Sequence, residues 1–410
     1  MQKKLAEAIV SYNQSIGNDA AAIRNAERLY DDGALAVITG QQLGLFGGPG
    51  YTFHKAVSAL LLAKEKGAIP IFWLATEDHD IDEIDHTYWI DVRGNLDKFH
   101  LSFPKDGTPV EDLVLKEHHL PEIQRFLQNI NREDLQFQPG ESYALAMARA
   151  FATFFHGTGL VFLEPKILRP FAKDFFHAQL KKNPTYLFCK NEQGQRQKID
   201  EESDAMHALI DQEPERFSPN VYARCAMQCA LLPTHSYVAG PSEIKYWSEL
   251  EGYFSSHHLP MPNVVPRKSI TMITKEVSEL LDLCDLSPIG ALPTHFQELF
   301  PEVFTQAEEL KKVWKLAAQE KLGIWVSDQT ITHSLDHALT RLQRKAYVKF
   351  LSEKGIPSHA LHLLHNFLHP HKKRQERVLN SFALYSHTSV QAVLEKLKKH
   401  DEPIYLFLDQ

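Results

Sequence analysis

Residues 35 to 91 constrain the fold more than any other stretch of this chain. Leu35 to Thr39 is an apolar run of strand length, and Gly40, Gly44, Gly47, Gly48, Pro49 and Gly50 fill the turn behind it. TFHKAVSALLLAKEKG then reads as a helix stopping on Gly67, and IPIFWLA is a second unbroken apolar run. A glycine just past the last helical residue can take the left-handed conformation that ends a helix. Strands that are apolar throughout, not at every second residue, are buried on both faces, as in a parallel sheet covered by helices on both sides. An α/β core follows.

Three later runs are expected to join that sheet: LVFLEP near 160, HSYVAG near 235 and MPNVVP near 261. Helices are expected over the first thirty residues and at 141–156, 166–181, 219–232 and 241–255. At 410 residues the chain exceeds one ordinary core, so insertions or a second domain are needed. We divide it into 1–91 (first half of the core with N-terminal helices), 92–140 (connective insertion), 141–184 (core), 185–218 (second insertion) and 219–274 (second half of the core). A helical, coiled-coil-like region at 275–370 follows, with helices expected at 305–322 and 332–353. In the second of these, Leu335, Ala338, Leu342, Ala346 and Phe350 keep near one face, which suits a helical hairpin or a partner helix. Residues 371–410 return to the core and close on EPIYLFLDQ, an expected edge strand.

A formal charge of −8, from 44 basic and 52 acidic residues with no long basic run, disfavours a nucleic-acid partner, because phosphate-backbone binding depends on clustered cations. No stretch reaches the roughly 18 consecutive apolar residues of a membrane span. Four cysteines and a polar start without a secretory signal point to a reducing, cytoplasmic setting. Cys225 and Cys229 share a helical face and are expected to be buried apolar thiols. Five C-terminal histidines, His359, His362, His365, His369 and His371, lack a tight ligand spacing and are read as solvated.

Four constellations could carry chemistry. TGQQLGLFGGPGYTFHKA leads glycines into a helix N-terminus, a setting that favours a phosphate or carboxylate, though it also suits a tight structural turn. It is neither a Walker loop nor a GxGxxG fingerprint. His54 and Lys55 put cations in the first helical turn, against the helix dipole unless an anion sits there. ATEDHDIDEIDH, after the second strand, packs Glu77, Asp78, His79, Asp80, Asp82, Glu83, Asp85 and His86 into one loop. At the carboxyl end of a parallel strand it could bind an amine, take a proton or hold a divalent metal, or merely be a solvated turn. The seven-residue gap from His79 to His86 does not match HExxH zinc spacing. Arg224 on a helix, with Gly240, Pro241 and Glu243 in a second strand-to-helix turn, echoes the first element, and Tyr246 and Trp247 follow as core or contact residues. PNVVPRKSITMI places Arg267, Lys268, Ser269 and Thr271 after a strand, where cations and hydroxyls suit a phosphate chain or form an ordinary polar loop.

Taken in order, TGQQLGLFGGPGYTFHKA, FWLATEDHDIDEIDH, SPNVYARC, YVAGPSEIKYW, VPRKSIT and QERVLN resemble the cysteine-adding enzyme family of bacillithiol biosynthesis, BshC. The resemblance runs from 39 to 380 and is looser over 92–218 and 272–370. It implies a Rossmann-like, mostly parallel sheet with connective insertions and a C-terminal coiled-coil element, related at fold level to class I aminoacyl-tRNA synthetases. Family members are usually longer, both ahead of TGQQ and in the connective and helical regions, and a larger apolar residue is expected where Gly50 stands.

The activity implied is joining L-cysteine to glucosaminyl-malate through an amide, with the carboxylate activated by ATP and with Mg accompanying the nucleotide. ADP is an alternative nucleotide product to AMP. On the same resemblance, His54, Asp78, His79 and Asp80 rank as the catalytic group. Gly40, Gln41, Gln42, Gly47, Gly48, Thr52, Lys55, Arg267, Lys268 and Ser269 would bind the nucleotide or another anion. Glu77, Asp82, Arg224, Gly240, Glu243 and Tyr246 would contact substrate, and no protein-held metal is expected. By fold-level analogy, Thr52 to Lys55 stand at the synthetases' first histidine motif and PRKSIT at their lysine-serine loop. A homodimer through the helical region is expected. A metal-dependent hydrolase using Glu77 to His86 and a non-catalytic binding homologue are the alternatives. The residues alone name neither cysteine nor the sugar.

Overall fold

The computed structural model describes residues 2–91, 93–288, 292, 301–322, 326–357, 359–398 and 404–407. It divides into two compact units. The first holds Met1–Trp89, Asp97–Thr271 and Gln375–Leu406; the second holds Ile90–Leu96, Met272–Arg374 and Phe407–Gln410.

The first unit is built on five parallel strands, β1 (Ala36–Gln41), β2 (Ile69–Leu74), β3 (Val161–Leu163), β4 (Thr234–Ala239) and β5 (Asn263–Pro266), in spatial order β5-β4-β1-β2-β3. All three of the later runs are therefore in the sheet. Every residue of β2 is buried, which is why its sequence shows no alternation. The chain builds outward from β1 to β3 and then returns to add β4 and β5 on the other side. This is the Rossmann order, and its direction reverses between β1 and β4, so a crevice opens at the carboxyl ends of those two strands.

The helix α1 (Tyr51–Lys66) follows the glycine turn and stops at Gly67, whose φ of 62° and N–H to the Ala63 carbonyl form the expected cap. α2 (Tyr143–Phe154) starts on a Ser142 cap. α3 (Val221–Leu231) starts on Asn220, whose side chain accepts from the amides of Tyr222 and Ala223. Two helix expectations are corrected. The span 166–181 becomes α-helical only at Lys173, after two short turns, Pro165–Ile167 and Arg169–Phe171; Pro165 and Pro170 have no N–H to give to a helical ladder and sit only in the first positions of these turns. The span 241–255 divides into α4 (Pro241–Trp247) and a short helix Glu251–Ser256. Within 185–218, Leu187–Lys190 pairs antiparallel with Arg196–Lys198 on one side and Phe217–Pro219 on the other.

In the second unit the helices Pro301–Leu322 and Asp328–Glu353 pack together, with Lys311 bonded to Asp336 across them at 2.6 Å. Among the described residues of the longer helix Ile331, Leu339 and Leu351 are buried, whereas Leu342 is 48% exposed. The covered face is thus displaced from the one the spacing suggested. Ile404–Phe407 forms the expected terminal strand. Among the described residues no helix is long and apolar enough to cross a membrane.

Candidate active site

The crevice between β1 and β4 widens into a cavity of about 610 Å³, lined entirely by the first unit. β1 contributes Gly40, Gln41 and the following Gln42, and the loop after β2 contributes Glu77, Asp78, His79 and Glu83. Arg224 of α3 lines it together with Gly240, Glu243 and Tyr246 of the second turn, and Arg267 follows β5. Gly40 is needed for packing, since a Cβ there would lie 3.0 Å from Trp73 Cβ and 3.1 Å from its carbonyl.

Lys55 joins the two halves of the sheet. Its Nζ donates to the Gly40 carbonyl at 2.8 Å and to Gln41 Oε1 at 2.9 Å, and it pairs with Glu243. Glu243 also accepts from the Gly240 amide at 2.7 Å and the Tyr237 hydroxyl at 2.9 Å. Burial lowers the Lys55 pKa, with Glu243 opposing. On Glu243 burial resists ionisation, yet Lys55, the Gly240 amide and Arg224 together keep the carboxyl below its ordinary range. Both ends of the crevice are therefore tied by a charged, hydrogen-bonded pair.

Asp78 is committed elsewhere. It accepts from Gln42 Nε2 at 2.7 Å and from the His79 amide at 2.8 Å, and lies 3.5 Å from Arg196. Arg196 in turn covers the Phe188 ring at 3.9 Å and bonds Ser218 Oγ at 3.0 Å and the Pro219 carbonyl at 2.8 Å. Asp78 thus pins the β1 loop to the small antiparallel sheet. Glu77 differs, being buried with Oε2 lacking a hydrogen-bond partner. Burial raises its pKa against the pull of Arg169, Arg224 and Arg196. A buried, half-satisfied carboxylate beside guanidinium groups is a functional-site signature.

Beside the cavity lies a buried network. Arg267 makes two parallel 2.8 Å bonds to Glu376, which also accepts from Ser269 Oγ at 2.9 Å and contacts His54 Nδ1 at 2.8 Å. His54 Nε2 meets the Tyr385 hydroxyl at 2.7 Å. Burial resists the charge on Glu376, but the bonds from His54 and Arg267 prevail and hold its pKa far below the carboxylate range. Burial lowers that of His54, although Glu376 opposes the shift. An ionised carboxylate only accepts, so the neutral imidazole carries its proton on Nδ1 and accepts from Tyr385 at Nε2.

Several residues chosen from the sequence are not brought to the cavity. His54 and Ser269 belong to the network just described, and Thr52 is buried in the first turn of α1. Gly47 and Gly48 pack on the segment 381–382 or on the loop itself, and nearby amides bond within the protein: Gly48 to Leu45, Gly50 to Leu379 and Thr52 to Pro49. A Cβ on Gly50 would meet Leu384 Cδ1 at 2.9 Å, which explains the missing apolar side chain there. Asp80 is exposed, and Asp82 is exposed and paired with Lys105. Lys268 places its amide on Ser58 Oγ at 2.9 Å, with its side chain outside the lining. Among the described residues no group of three or more His, Cys, Asp or Glu side chains is arranged to hold a metal ion. Cys225 is a buried thiol pushed up to about 12 by burial; Cys229 is only partly buried but is pushed up equally.

Sequence reasoning missed Tyr51, Phe188, Arg196, Arg377 and Glu376. Phe188 and Arg196 come from a stretch read as inserted material. Glu376 and Arg377 lie in QERVLN, where adjacent charges before an apolar segment were the available signal.

The chain matches the family described as "Bacillithiol biosynthesis BshC, N-terminal Rossmann-like domain" over residues 1–199 and 188–268. Three relatives carry the name "Putative cysteine ligase BshC". That of Koribacter versatilis is 29% identical, spanning 92% of this chain and 84% of the relative. That of Bacillus cytotoxicus is 31% identical, spanning 70% of this chain and 64% of the relative. The Staphylococcus carnosus protein is 28% identical, spanning 93% and 85% respectively.

Proposed function

The chain belongs to the BshC family of bacillithiol biosynthesis, and on that footing we propose that it is a ligase joining L-cysteine to glucosaminyl-malate. The names of its relatives support the ligase and the cysteine. The sugar acceptor rests on the family resemblance, and the use of ATP on the chemistry. A carboxylate is a poor electrophile, so ATP transfers a nucleotidyl or phosphoryl group to the cysteine carboxylate, releasing pyrophosphate or ADP. The sugar amine, once deprotonated, attacks the activated carbonyl carbon, forming the amide and expelling AMP or phosphate. Mg enters with the nucleotide phosphates.

The observation that carries this reading is the pairing of opposite demands in one crevice. Arg224, Arg267 and Arg377 bring guanidinium groups to the crevice where a phosphate chain would sit, at the strand ends where α/β sheets bind nucleotides. Glu77 offers a buried carboxylate with a raised pKa and an unfilled oxygen, suited to hold the ammonium of the acceptor and take its proton. Tyr246, which accepts from Arg224 at 3.1 Å, lines the substrate side. Holding both reactants in one cavity supplies much of the rate enhancement.

Purified protein given cysteine, glucosaminyl-malate, ATP and Mg should yield bacillithiol, detected by mass spectrometry while pyrophosphate and phosphate are both followed. Pyrophosphate release marks adenylation and phosphate release marks an acyl phosphate. Absence of product across nucleotides and divalent metals would overturn the proposal.

A further inference from the structure

We propose that Glu376 is a positioning residue that works through Arg267 to set the anion-binding geometry of the crevice. The inference rests on the ligase reading only for its turnover readout.

Arg267 is the cavity's guanidinium at the end of β5, and its side chain is only 5% exposed. A free guanidinium there could turn toward whatever anion enters. Instead both terminal nitrogens are held by the Glu376 carboxylate, and Nη1 also donates to the Lys268 carbonyl at 3.0 Å. Nε remains beside the Gly240 turn, 3.9 Å from where a Cβ on that glycine would lie, and the guanidinium stands 5.9 Å from the Tyr51 ring. The bidentate clamp therefore selects which edge of Arg267 faces the crevice.

Glu376 is itself fixed from behind. Ser269 and His54 donate to it, and His54 is held by Tyr385, whose ring stacks on Phe53 at 3.7 Å. The bond from His54 leads away from the cavity into packed core. Glu376 does not line the cavity, whereas its neighbour Arg377 does. The segment Gln375–Tyr385 thus completes a site otherwise built from residues 40–267. Glu376 also offsets the charge of Arg267, so the pair contributes orientation more than attraction.

The test is a double-mutant cycle on the full chain with Arg267→Gln, Glu376→Gln and both together. Two readouts are taken: kcat and KM for ATP, and calorimetric affinity for inorganic pyrophosphate. Arg267→Gln should lower kcat about 100-fold and weaken pyrophosphate binding. Glu376→Gln should lower kcat about 10-fold or more while pyrophosphate binds at least as tightly, because a guanidinium has been released from its carboxylate. The double variant should match Arg267→Gln in both readouts. Multiplying effects, or a parallel loss of kcat and pyrophosphate affinity in Glu376→Gln, would overturn the proposal. Should Glu376→Gln not fold, Tyr385→Phe keeps the stacked ring and removes only the hydroxyl. It should lower kcat a few-fold with pyrophosphate affinity intact, and wild-type kcat would refute the chain. If the wild type forms no product, the ligase reading fails while the pyrophosphate cycle still decides the role of Glu376.

Discussion

Two glycine turns follow two strands of the same sheet, and they do opposite things. The turn after β1 carries Gly47 and Gly48 at φ of 90° and 60° and is closed by protein. Ser381 donates its amide to the Gly48 carbonyl at 2.8 Å and its hydroxyl to Pro49 at 2.8 Å, while Asn380 Nδ2 donates to Leu45 at 2.9 Å. The turn after β4 has Gly240 at φ −77°, a conformation open to any residue, and it lines the cavity. Glycine marks a place where something approaches the backbone closely. In the first turn that something is the chain's own C-terminal segment.

Alanine at each position should separate the two roles. At Gly47 a Cβ would sit 2.9 Å from Ser381 Cβ and 3.1 Å from Phe382 Cδ1, on a backbone that L side chains rarely adopt. Left-handed strain and overpacking each cost about 1–3 kcal/mol. Gly47→Ala should therefore lose roughly 2–4 kcal/mol in chemical denaturation, yet bind pyrophosphate normally wherever it stays folded. A variant as stable as wild type would mean that the first turn is not a clamp. At Gly240 the nearest atom to an added Cβ is Glu243 Oε2 at 3.3 Å, the end of a movable side chain. Gly240→Ala should change stability by less than about 1 kcal/mol. It should lower turnover several-fold by displacing Glu243 from the Gly240 amide and Lys55. Unchanged kinetics would place the working surface elsewhere.

The sheet was legible because all five strands lie at runs singled out in the sequence, most clearly β2, whose unbroken apolar run is buried throughout, although β5 is only half-buried. The crevice was half legible for the same reason, since strand-end residues such as Gly40, Gln41, Gly240 and Arg267 are fixed once the strands are known. What failed was the step from residue type to contact. His54 and the Gly47–Gly48 pair have the composition of an anion cradle, but their partners are more than 320 residues away at Glu376, Ser381 and Tyr385, and no local pattern reveals a partner that distant. Asp80 and Asp82 share a loop with Glu77 but are exposed, whereas Asp85 of the same loop is buried and paired with His86 and His100, and composition does not tell these carboxylates apart. Arg196 was hidden because it lies in a polar stretch that reads as inserted material, and nothing local in that stretch shows that it lines the cavity.

The last prediction concerns that buried carboxylate and carries the smallest change in stability. Burial raises the pKa of Glu77 above the ordinary 4.5, so the folded protein holds this proton more tightly than the unfolded chain. Stability contributed at this position is therefore greatest below about pH 4.5 and falls as pH climbs toward the raised value, staying low beyond it. Glutamine keeps the shape without the charge. Glu77→Gln should consequently be slightly more stable than wild type at pH 7, with the difference fading in denaturation at pH 4, while ligase turnover is lost at both. The neighbouring Arg224 and Arg196 limit the gain, because they lose a compensating charge. A variant destabilised at pH 7 would show that those guanidinium groups, not an incoming amine, are what Glu77 serves.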